Sequence, residues 1–140
     1  MSGRVEAQPL LVDRPPGLQL VIAVVVPALF GVVCGVMLGI SEGVYLVLSL
    51  LAILGGIGAG FDHLGAGEGA VRGVVGGVLF GVMILAAHEV SGTDPKADLP
   101  EPPILLAIVT GVLGAAFGAI GGALRARHER GRPTRNMTSV

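Results

Sequence analysis

Asp62, His63, Glu68 and Arg72 fall in one short window of a chain that carries few charges elsewhere in its middle. Three chemistries are open to such a group. His63, whose ordinary pKa lies near 6.5, could relay protons close to neutrality. Asp62, His63 and Glu68 could hold a divalent cation, although their spacing follows no recognised ligand pattern. Backbone donors at the start of the following helix could receive an anion beside Arg72. The GAGEG run there lacks the Lys and Ser/Thr of a phosphate-binding loop, which argues against nucleotides. The plain alternative is a turn. Asp62 can cap, Glu68 favours a first helical turn, and Glu68 with Arg72 makes a favourably ordered i,i+4 pair.

A second polar pair, His88 and Glu89, closes the same segment roughly 24 Å from Arg72 by helical rise. Two histidines at opposite mouths would suit a proton or cation path. No charged residue lies between them in any apolar block, so interfacial residues are the plainer reading. Cys34, the single cysteine, sits inside an apolar block and excludes an intrachain disulfide. No Ser-His-Asp or Cys-His arrangement has a structural context. The expectation is a protein that is not an enzyme and has no cofactor and no metal.

The elements that must position these residues are written in the hydropathy. Of 140 residues, 52% are hydrophobic and 14% charged, and the mean hydropathy is +0.82, outside the range of soluble domains. The apolar residues form long blocks rather than amphipathic patterns, which is how a membrane protein reads. A net charge of -1 gives no reason to expect nucleic acid. One Lys against eight Arg, with heavy Ala, Gly and Val, has the look of a GC-rich bacterial source.

Four spans are predicted, over about 18–39, 44–60, 68–89 and 104–124, each long enough to cross a bilayer. They form a single domain, 18–124, between a tail at 1–17 and a basic tail from 125 to 140. The first apolar block is too long for a signal peptide and has no evident cleavage site. Pro27 should kink the first span by freeing the carbonyl of Ala23. Ser41 is a suitable N-cap for the second, with Glu42 in its first turn. Residues 90–103, acidic and rich in proline, read as an extended surface loop.

The expected fold is therefore an all-α integral membrane bundle of four helices packed on Gly/Ala stripes. Gly31, Gly35 and Gly39 mark the first span, Gly69, Gly73, Gly77 and Gly81 the third, and Gly114, Gly118 and Gly122 the fourth. Such spacing lets backbones approach closely. A bundle of four cannot bury every stripe, so one of them could serve a homo-oligomer or a larger membrane complex. Leu29-Phe30-Gly31-Val32 recurs as Leu79-Phe80-Gly81-Val82, and Leu50-Leu51-Ala52-Ile53 as Leu105-Leu106-Ala107-Ile108. These matches fit two duplicated helical hairpins, and equally chance recurrence in a chain of few residue types.

Arg4, Arg14, Arg72 and the arginines at 125, 127, 130, 132 and 135 fall on one side of a four-span topology, with only Lys96 opposite. The positive-inside rule puts both termini in the cytoplasm and the protein in the cell (inner or plasma) membrane. Small multidrug transporters share the four-span size, but an acidic residue deep in their first span has no counterpart here, so their function is not carried over. Two classes remain: an oligomeric or accessory subunit of a membrane assembly, or a small channel or transporter for protons, cations or small solutes. In both the partner is the lipid bilayer.

Overall fold

A computed structural model describes residues 13–131; the expectations for Arg4, Arg132 and Arg135 lie outside the described residues. The described chain is all-helical, with four helices long and apolar enough to cross a membrane: α1 Pro16–Leu38, α2 Glu42–Phe61, α3 Ala66–Ser91 and α4 Ile104–Arg130. Each begins at, or two residues before, the position its apolar block implies.

The starts have local causes. Pro16 occupies the first helical position of α1, where its missing N–H and fixed φ cost nothing. The Pro-Pro pair therefore opens the helix rather than closing a tail. Ser41 caps α2, its side chain accepting from the Val44 N–H at 3.5 Å, with Glu42 in the first turn. α3 ends on Gly92 at φ 62, a left-handed cap that L side chains adopt only under strain. The loop that follows is less loose than its composition implies. Lys96 N–H donates to Leu38 O at 2.8 Å, taking up a carbonyl left open at the end of α1, while Ala97 and Leu99 pack on the core.

Pro27 acts in an unexpected register. The turn before it, Val21–Val25, is π-helical, with the Val26 N–H donating to Val21 O. In that i to i+5 pattern the next donor would be residue 27 and the next acceptor Ile22. Proline has no N–H, so in this register the carbonyl left without its donor is that of Ile22, where an α-helical turn would leave that of Ala23.

Packing among the helices is uneven. The α3–α4 contact is the most extensive, α1 lies on α3, α2 lies on α4, and α1 touches α2 only sparingly. A Cβ at Gly73 would run into the Gly114 carbonyl and one at Gly69 into that of Gly118; the relation is reciprocal. Across α1 and α3, Gly31 and Gly35 meet the carbonyls of Phe80 and Ile84 in the same way. The compact core of Cys34, Leu38, Ile84 and Leu106 sits toward the end of the bundle that holds residues 39–41 and 92–103. We call that the loop end; the opposite end, with Arg14, the 62–65 turn and the last turns of α4, is the tail end.

Helix α4 continues to Arg130, past Leu124 where a tail was expected to take over. Arg125 is the reason. It is only 5% exposed, its Nε donates to Glu129 Oε1 at 2.6 Å, and its guanidinium lies 5.5 Å from the centre of the Phe61 ring. A cation over an aromatic face with a carboxylate one turn on is a stabilised helix end.

Candidate functional site

A cavity of about 590 Å³ lies where α1 and α2 fail to meet. Pro27 and Phe30 of α1, Ala52 and Gly56 of α2, Phe80 of α3 and Phe117 of α4 are among the residues around it. Side-chain size explains its position. Where glycine faces backbone, as along α3 and α4, the helices touch; where Phe30, Tyr45, Phe80 and Phe117 project, they are held apart. Phe30 and Phe80 stack at 6.2 Å between centroids with 25° between planes, which fixes part of the wall.

The lining is apolar apart from Tyr45, Ser49, Thr110 and Arg72. Thr110 is locally satisfied, its hydroxyl donating to Leu106 O at 2.8 Å. Ser49 Oγ is buried, with the Tyr45 hydroxyl as its polar neighbour. Arg72 is the single charge in the lining. It stands six residues into α3, roughly 9 Å from the helix start by rise. Its Nη2 donates to Ile22 O at 2.8 Å, the carbonyl that Pro27 leaves free. Its Nη1 lies beside Gly76, where a Cβ would come within 2.7 Å. Gly76 is one turn further into α3, so the guanidinium reaches inward instead of snorkelling toward the helix start as a long cation usually does. Nε is buried with no hydrogen-bond partner. Among the described residues no carboxylate forms an ion pair with Arg72.

The residues picked out in the sequence are thus dispersed. Asp62 pairs with Arg14 at 3.4 Å, joining the end of α2 to the start of α1; it is the residue after α2 and does not cap α3, whose N-cap position is Gly65. His63 is half-buried, with Nε2 unpartnered. Glu68 is exposed, and the expected Glu68–Arg72 pair does not form, because Arg72 turns to α1. His88 is half-buried with Nδ1 unpartnered, and Glu89 is exposed at the loop end. Among the described residues no three His, Cys, Asp or Glu side chains converge as metal ligands would.

Of the four clustered residues only Arg72 reaches the cavity. The cavity itself had no motif. Its nearest sequence signals were a proline and a phenylalanine in the first block, and the fact that most of the chain's few aromatics lie inside apolar blocks. Compared with known proteins, the chain matches no family model, no curated protein and no solved structure.

Proposed function

We propose that this is a non-enzymatic, multi-pass membrane protein that takes a small ligand from within the bilayer into the cavity between α1 and α2, as a binding protein or carrier. Membrane insertion is supported by how little the helices bury. Between 6% and 28% of each apolar window is inside the bundle, and Leu29, Leu54, Val71 and Val112 are more than 60% exposed. In water such surfaces associate; in lipid they are the solvated face. The tail end gathers Arg14, Arg72, Arg125, Arg127 and Arg130 against Lys96 at the loop end, which supports cytoplasmic termini.

The observation that carries the ligand-handling reading is the cavity: its size lies in the range of small-molecule sites, about 300–1,000 Å³, and one inward-turned cation marks an otherwise apolar wall. Intramembrane charges are costly and default to functional positions. The four clustered residues do not act together in this reading, and His63 is not a relay.

The accessory-subunit reading has one favourable observation of its own. Gly58 would have nothing within 4 Å of an added Cβ and does not line the cavity, so α2 keeps a small smooth patch for a neighbour. Native mass spectrometry of protein released from lipid nanodiscs separates the two. The ligand-handling reading predicts a monomer or small homo-oligomer carrying a small-molecule adduct that is absent in Ala52→Trp. Adduct-free protein bound to a second protein at fixed ratio would replace it with the subunit reading.

A further inference from the structure

We propose that the occupant of the cavity is a single-chain carboxylate amphiphile, a fatty acid, with its carboxylate on Arg72 and its tail running toward the loop end. This rests on the reading of the cavity as a ligand site.

Charge complementarity sets the head. Arg72 brings one positive charge to the lining; the carboxylate whose charge reaches it, Asp62, is paired with Arg14, and among the described residues none forms an ion pair with Arg72. One donor is spent on Ile22 O, and that bond holds the guanidinium in place while its remaining donors have no partner to match their charge. A monoanion neutralises one cation, and a carboxylate accepts charge-assisted hydrogen bonds from a guanidinium. Depth favours a small head. The guanidinium lies beside Gly76, more than one turn inside the start of α3, where a bulky phosphodiester headgroup would have to leave the interface.

Shape sets the tail. From Arg72 to Ile84, both in the lining, α3 rises roughly 18 Å. Along that path the wall is mostly aromatic or aliphatic, interrupted by glycine, by the locally satisfied Thr110 and by the hydroxyls of Ser49 and Tyr45. A largely apolar space of about 590 Å³ with one cation at its end fits an amphiphile with one chain better than a lipid with two. The freed carbonyl, the glycine beneath the guanidinium and an Asp62 committed to Arg14 converge on one purpose: a cation held inside a largely apolar wall and left for a ligand to pair with directly.

The test uses the full chain in phosphatidylcholine nanodiscs and a diazirine-bearing palmitate, with peptide mapping of the cross-links. Labelling on α1 and α2 should saturate, and excess palmitate should compete at least about tenfold better than hexadecanol, the scale of a charge-assisted hydrogen bond. Arg72→Gln should weaken labelling by a similar factor and Arg72→Lys should restore most of it, each variant being checked for an unchanged melting temperature within a few degrees. Ala52→Trp should abolish it. Equal competition by hexadecanol, or full labelling of Arg72→Gln, overturns the carboxylate assignment while leaving a ligand cavity. Competition by phosphatidylglycerol but not palmitate assigns the site to a phospholipid and also overturns it. Non-saturable labelling that Ala52→Trp leaves unchanged removes the ligand site altogether, and with it the reading on which the inference rests.

Discussion

The two hairpins of this bundle are built from the same kinds of residue and behave oppositely. In the second, α3 and α4 lie backbone against backbone, Gly69, Gly73 and Gly77 facing the carbonyls of Gly118, Gly114 and Thr110. In the first, α1 and α2 leave from a short connection and part around a cavity. Glycine content does not explain the difference, since α2 has Gly55, Gly56, Gly58 and Gly60. Facing does. Gly58 has open space around it, Gly55 borders the cavity, a Cβ added at Gly56 would stand 3.9 Å from Phe117, and Gly60 is spent on α4. At no glycine of α2 would an added Cβ meet α1 as its nearest neighbour, and Tyr45 and Phe30 line the space between the two helices. In the bilayer we propose for this bundle there would be no hydrophobic effect between helices, and close packing would be the main attraction left. A pair that cannot pack closely is free to hold something else.

Bulk inserted into the closed hairpin should do the most damage. Gly73→Leu must push α3 from α4 against backbone atoms that cannot yield, and should cost at least about 3 kcal/mol or prevent folding, read by denaturant unfolding in nanodiscs. A single methyl should divide the hairpins by sign. Gly73→Ala is expected to destabilise by about 1–3 kcal/mol, whereas Gly58→Ala, with open space around it, should stabilise by about 0.5–1 kcal/mol through helix propensity. Equal effects at 73 and 58 would break the distinction.

Bulk added on the cavity side of α2 should be tolerated. Ala52→Leu fills existing space and is expected to shift stability by less than about 1.5 kcal/mol, measured on the same scale. Smallest of all, Asp62→Asn removes a partly exposed pair with Arg14 at 3.4 Å. It should cost no more than about 1 kcal/mol, and less as salt is raised. A larger cost would mean that this pair, and not side-chain bulk, sets how far the first hairpin opens.

Much of the frame was legible because hydropathy blocks fix helices directly: an uninterrupted apolar run has few alternatives, and Ser41 with Glu42 marks a helix start by local hydrogen bonding alone. The site was not. The i,i+4 rule assigned Arg72 to Glu68, but the acceptor it reaches is a carbonyl fifty positions away in sequence, left open where a π turn precedes Pro27. Spacing shows that glycines share a face; it does not show what the face meets. Arg125 read as tail because it opens a basic run, and only Phe61, brought alongside by the fold, makes it part of the bundle. The recurring hairpin motifs imply similar halves, while the two halves pack differently.

The most direct test of the account is a pair of spin-label distance measurements on the full chain in lipid nanodiscs, one across α1 and α2 at Leu29 and Leu54, one across α3 and α4 at Val75 and Val112. All four positions are exposed, so the labels need not disturb packing. The account predicts a narrow distribution across α3 and α4 and a separation across α1 and α2 that matches the open gap of this structure. A distribution placing α1 in close contact with α2 along its length would leave no room for a ligand and would contradict it.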